Sequence, residues 1–191
     1  MPSTDPRPPA SAHDVAAYLT DLQRAQTRSG KGLAGMASSK LHKLTYFCQA
    51  YHLAWYDEPL FSEDVLAAAS GPVILEFFKH SDLSFPDAWP EGSASNLDGR
   101  QSSVINSVFK TNSFVTGMDL GDMAREHVPW IRARAKRARE SDRPAIDPAD
   151  MASYYRALSD APQTRQDYAA RFMDRYLDGG IPGMPASDTR I

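Results

Sequence analysis

With 191 residues, 42% of them hydrophobic and 10% aromatic, the chain carries enough apolar surface for one folded domain with tails. A formal charge of -3 argues against a general nucleic-acid binder, and no run approaches the roughly 18 apolar residues of a membrane-crossing helix. One cysteine rules out an internal disulfide framework, and the N-terminal MPSTDPRPPAS lacks a basic-then-apolar leader pattern, so the expected compartment is the cytoplasm.

Residues 1–10 hold Pro2, Pro6, Pro8 and Pro9 among small polar residues, which reads as a flexible tail. Ser11 is a candidate N-cap with Asp14 three positions on, and Val15, Tyr18, Leu19 and Leu22 predict a first amphipathic helix that frays by Thr27. Gly30, Gly32 and Gly35 mark a connecting loop. Gly30-Lys31-Gly32 resembles a phosphate loop only superficially, because the full Walker spacing and a preceding strand are absent.

Ser38 or Ser39 is expected to cap the central helix, the longest helical signal in the chain. Leu41, Leu44, Cys48, Tyr51 and Trp55 fall on one stripe at about 3.6 residues per turn, with Trp55 and Tyr51 as the expected core anchor. Tyr46, Phe47, Ala50, Leu53 and Ala54 add apolar surface beside it, so the helix should be covered on more than one side. Pro59 ends it. Residues 61–69 show no clear period, and Gly71-Pro72 forces a change of direction. Val73, Ile74, Phe77 and Phe78 then predict a short apolar helix ending near His80.

The Pro-, Ser- and Gly-rich stretch 81–99 is expected to be an internal loop, pinned by Leu83, Phe85 and Trp89. Val104, Ile105 and Val108 or Phe109 mark a further helix. Thr116 with Asp119 opens another, carrying Leu120, Met123 and Ala124 and stopping before Pro129-Trp130. Residues 131–143 are basic and read as a solvated helix, a minority reading being a docking surface for an acidic partner or nucleic acid. Asp147-Pro148-Ala149-Asp150 starts a helix with Met151, Tyr154, Tyr155 and Leu158 on its apolar face, and Pro162 starts a last one with Tyr168, Phe172 and Tyr176. The expected fold is mainly α. It is a single compact helical domain over 11–178, with room for one short β pairing near Gly71-Pro72-Val73, and residues 179–191 form a C-terminal tail.

No catalytic, cofactor or metal site emerges. Cys48 and His52 lie one turn apart, yet a free cysteine inside an apolar stripe behaves as a small hydrophobe. The histidines His13, His42, His52, His80 and His127 show no metal-ligand spacing beside a carboxylate. Glu58, Glu63, Asp64 and Glu76 offer no acid–base pair.

The order of the pieces is more specific than any one of them. KLHKLTYFCQAYHLAW, then Pro59-Leu60-Phe61, then Ala67 and Gly71-Pro72-Val73, then Pro129-Trp130, then Ile146 ahead of Tyr154-Tyr155, resembles the Panacea domain of the SocA-like antitoxin family over roughly residues 13–158. The family pattern has tyrosine where this chain has Ser70, often tryptophan at Ala68, and a histidine near Arg125 where this chain offers His127. The resemblance implies a protein without catalytic activity that neutralises a protein toxin encoded by the adjacent gene, generally by direct contact. The alternatives are an adapter delivering the toxin to an AAA+ protease, or a phage-associated or nucleic-acid-binding regulator. No membrane partner is implied, nucleic acid is disfavoured, and self-association stays open. Apolar groups beside backbone breaks are the expected partner-binding residues: Ser70, Gly71, Pro72, Val73, Phe77, Phe78, Pro129 and Trp130.

Overall fold

The computed structural model describes residues 10–30, 36–80, 82 and 88–160. Among them are six α-helices and one β-hairpin: α1 Ala12–Arg28, α2 Ser38–Tyr56, β1 Val65–Ala68, β2 Gly71–Ile74, α3 Gly99–Asn112, α4 Gly117–Arg125, α5 Val128–Ala135 and α6 Pro148–Asp160. The fold is mainly α, as the periodicity predicts. The chain divides into units Met1–Tyr155 and Arg156–Ile191; of the second, only 156–160 at the end of α6 are described. The expected loop glycines Gly32 and Gly35, the pins Leu83 and Phe85, the last helix with Tyr168, Phe172 and Tyr176, and the tail 179–191 lie outside the described residues.

Helix α1 starts with a reciprocal capping box, in which Ser11 Oγ accepts from the Asp14 N–H and Asp14 accepts from the Ser11 N–H. Asp14 also accepts from the Ser93 N–H and from Asn96 Nδ2, both at 2.8 Å, so one carboxylate both caps α1 and holds the segment before α3. Burial works to raise its pKa, but the Ser11 and Ser93 backbone bonds, with the Ser11 and Asn96 side chains, outweigh it and hold it below the usual value. Gly92 makes that docking possible: with φ +74°, it lies so close to α1 that an added Cβ would sit 2.5 Å from the His13 carbonyl carbon.

Helix α2 is the centre, packed by α1, α3, α4 and β2. Leu41, Leu44, Tyr46, Cys48 and Ala50 are wholly buried, which confirms cover on more than one side. The core anchor differs from the expected one. Trp55 is 42% exposed and Tyr51 only half-buried, because the stripe runs out at the helix C-terminus, while Tyr46 on the neighbouring face is fully enclosed. Enclosing a tyrosine stabilises by about 4–6 kcal/mol as an upper bound. Tyr155 from α6 donates to Tyr46 at 3.2 Å, which leaves its oxygen to accept from His127 Nδ1 at 2.8 Å. Burial pulls the His127 pKa down to about 4, so the ring is neutral.

The start of α2 is also corrected. Its N-cap is Ala37 without a side-chain bond, not Ser38 or Ser39. The first turn abuts α4 instead: a Cβ on Gly117 would meet the Lys40 nitrogen and Ser39 Oγ at 2.6 Å. At the other end Asp57 takes a left-handed conformation (φ 59°) ahead of Pro59. Gln49 then fixes the exit. Its Oε1 accepts from the Leu60 N–H at 2.8 Å and the Phe61 N–H at 3.2 Å, and its Nε2 donates to the Phe61 carbonyl at 2.9 Å.

Candidate functional site

The expected β pairing exists. Strands β1 and β2 are antiparallel, with Leu66 opposite Val73 and Ala68 opposite Gly71. Val65 and Ala67 bond the segment Pro144–Ile146 at 2.8 Å on the far side of β1. Hydrogen-bonding direction alternates along a strand, so Leu66 and Ala68 serve β2, and on β2 it is Pro72 and Ile74 whose nitrogens face outward. Pro72 has no N–H to leave unpaired, and the Ile74 N–H donates to His42 Nδ1 at 2.9 Å. The outer edge is thereby closed by one proline and one histidine. Burial, with the Lys43 charge adding to it, pulls the His42 pKa down to about 3 and keeps this ring a neutral acceptor.

The expected apolar helix Val73–His80 is corrected by the same observation. Val73 and Ile74 end β2, and only Leu75–His80 coils, as a 3-10 turn. β-branched residues paired across a hairpin favour the strand over the helix that their hydrophobicity alone suggests.

Of the eight expected partner-binding residues, Gly71, Pro72, Val73, Phe77 and Pro129 are buried and belong to the core in this conformation. Ser70 is exposed, Phe78 is 37% exposed, and Trp130 is half-buried, its indole N–H donating to the Ala68 carbonyl at 3.1 Å. Trp130 is thus joined to the hairpin turn. Phe78 touches His42 (ring centroids 5.5 Å) and is stacked by the Arg143 guanidinium at 5.0 Å. Near these in sequence, Leu75 (47% exposed) and Ile131 (48%) present apolar surface that the sequence reading did not single out.

Helix α4 ends at Arg125, before Pro129-Trp130 as expected, and Pro129 then opens α5 in its first turn, with His127 as N-cap. The basic run, by contrast, is not one solvated helix: α5 ends at Ala135, and Arg134 is buried. The Arg134 guanidinium donates to the carbonyls of Ala67 (3.3 Å), Asp142 (2.7 Å) and Glu140 (3.3 Å) and to the Glu140 carboxylate (2.6 Å). A planar guanidinium with five N–H donors suits three backbone oxygens and a carboxylate spread around it. Arg134 therefore ties the loop after α5 to β1.

Around the turn, α4 comes unusually close. A Cβ on Gly121 would lie 2.6 Å from the Ser70 carbonyl oxygen and 3.4 Å from Lys43 Cε, and a Cβ on Gly71 (φ +100°) would lie 3.0 Å from Gly121 Cα. Arg125 donates to the Ala69 carbonyl at 3.3 Å and pairs with Asp122. Burial, with the nearby Arg125 charge second, lowers the Lys43 pKa to about 8.

The remaining candidates resolve as follows. Burial pushes the Cys48 thiol well up, the opposite of thiolate activation, and His52 Nδ1 is committed to the Glu58 carbonyl at 2.7 Å. His13, His80 and Glu91, far apart in sequence, converge with ligand atoms within 4.8 Å of one another. Trp89 donates to His13 Nδ1 at 2.9 Å, which places the proton of a neutral His13 on Nε2, facing Glu91 at 3.3 Å. A metal on that nitrogen would have to displace the proton and turn Trp89 away, so the arrangement fits a carboxylate shared by two imidazoles better than a metal ligand set. Among the described residues, no helix is long and apolar enough to cross a membrane.

These features define a mainly α domain with a short hairpin locked onto its central helix. Residues 41–131, a little under half of the chain, match the family model described as antitoxin SocA-like, Panacea domain. That span, from the first turn of α2 into α5, is similar to the SocA-like Panacea domain, in line with the motif order; α1 and α6 lie outside the match. No curated protein and no solved structure matches the chain.

Proposed function

We propose that this protein is an antitoxin that neutralises a protein toxin by covering part of its surface, without catalysis. The observation that carries this reading is the match of residues 41–131 to the SocA-like antitoxin domain. The exposed side chains that follow the hairpin or open α5 support it: Leu75, Phe78 and Ile131 present apolar area, with Trp130 and Arg143 as aromatic and arginine groups of the kind that anchor interfaces. Ser70, Phe78 and Trp130 are the members of the expected set that such a partner reaches first. The toxin is the product of the neighbouring gene, and both proteins act in the cytoplasm.

Co-expression tests this. Cells making the neighbouring protein alone should stop growing, and cells making both should grow with the toxin level undiminished. A harmless neighbour removes the antitoxin reading, and rescue accompanied by loss of the toxin protein points instead to protease delivery.

A further inference from the structure

Lys43 carries a largely buried side chain whose ammonium has no counter-ion among the described residues. The residue is 2% exposed, and among the described residues its ammonium has no hydrogen-bond acceptor and no carboxylate partner. Burying an ammonium is unfavourable unless it is paired, and here the Arg125 charge adds repulsion. Arg125 divides its guanidinium between Asp122 and the Ala69 carbonyl, so Asp122 is compensated by Arg125 and leaves Lys43 unneutralised. The closeness is enforced: Gly121 lets Ser70 and Lys43 approach the same point of α4, and any side chain there would part them. Ser70 adds an exposed hydroxyl with no hydrogen-bond partner among the described residues.

We propose that Lys43, Arg125 and the Ser70 turn form a socket for a single carboxylate, an Asp or Glu side chain of the protein that docks on this face. The proposal deepens the antitoxin reading and rests on it for the identity of the partner. Positive charge without an internal counter-ion is complementary to an acidic side chain, and desolvation strengthens the pair once the interface closes. A nucleic-acid backbone fits less well, because it offers many phosphates, while this site offers two cations with Asp122 beside them.

The test has two arms. In the first, the isotopically labelled full chain is titrated with acetate and, separately, with inorganic phosphate, following the amide resonances of Ser70, Gly71 and Gly121. The socket predicts saturable shifts with acetate, lost in Lys43→Met and weakened in Arg125→Gln, with Lys110→Met as an unaffected control. Lys43→Met should melt at or above the wild-type temperature, since it removes an unanswered charge. Non-saturating shifts, or a lowered melting temperature with unchanged acetate binding, overturn the proposal. Saturation by phosphate at more than ten-fold lower concentration overturns the carboxylate assignment. In the second arm, Lys43→Met should weaken binding to the neighbouring gene's product by roughly 10- to 100-fold. Saturable acetate binding with no protection of cells by the wild type would leave the socket standing and remove the antitoxin reading. Full protection by Lys43→Met with no acetate response would do the reverse.

Discussion

Gln49 offers a sharp test of how the domain is held together, because one side chain answers three buried backbone groups. Replacing it with Met conserves volume but strands the Leu60 N–H, the Phe61 N–H and the Phe61 carbonyl, all in residues no more than 1% exposed. Each hydrogen bond contributes about 1 kcal/mol net, and an orphaned buried group costs about 1–3 kcal/mol. With partial relaxation of the turn after Pro59, the loss should be about 3–4 kcal/mol, a fall of roughly 6–15 °C in melting temperature for a chain of this size. Urea unfolding followed by far-ultraviolet circular dichroism measures it, with Lys110→Met on exposed α3 as a control expected within about 0.5 kcal/mol of wild type. Amide exchange at Leu60 and Phe61 should accelerate in the same variant. A Gln49→Met protein within about 0.5 kcal/mol of wild type, with those amides still protected, would refute the claim that this side chain fixes the exit of α2.

Other consequences follow from the same contacts. His42 and His127 have depressed pKa values of about 3 and about 4, so between about pH 6.5 and 4 the unfolded chain takes up two protons that the folded chain does not. Stability should therefore fall on acidification by up to about 2.7 kcal/mol per pH unit, with Asp14 adding loss at lower pH; a flat urea midpoint from pH 7 to 5 would contradict this. Gly121→Ala should destabilise by about 1–3 kcal/mol because its Cβ would meet the Ser70 carbonyl at 2.6 Å, whereas Gly99→Ala, with nothing within 4 Å, should gain about 0.4–1 kcal/mol. Arg134→Met should cost about 2–4 kcal/mol in urea unfolding by freeing the carbonyls of Ala67, Glu140 and Asp142, and Arg134→Lys should recover little of it.

What the residues reveal by themselves depends on how local the determining interaction is. The capping residues Ser11, Thr116 and Asp147 act over two or three positions, and α1, α4 and α6 begin where those signals stand. The buried face of α2 is legible for the same reason. Trp55 misleads because periodicity tells which residues share a face but not where that face runs out of neighbours. Residues 73–78 mislead because pairing with β1 decides strand against helix, and that partner is chosen by tertiary contact. The roles of Gln49, His42 and Arg134 are invisible in sequence, since each answers backbone groups of a distant or irregular segment. Lys43 is legible only in the fold: its lysine reads as an ordinary polar position until Gly121 of α4 and the Ser70 turn are brought beside it. The Trp89 pin, by contrast, is readable as an apolar residue in a polar loop, and it is buried against His13 and Phe77.

The most direct measurement of the central claim uses two purified proteins, this chain and the product of the neighbouring gene. Adding this chain to a fixed amount of toxin, with no protease and no nucleotide present, should abolish the toxin's activity with a sharp break at a fixed molar ratio, and the two should elute together from a sizing column. Toxin that stays fully active at a ten-fold excess of this chain would contradict neutralisation by direct binding.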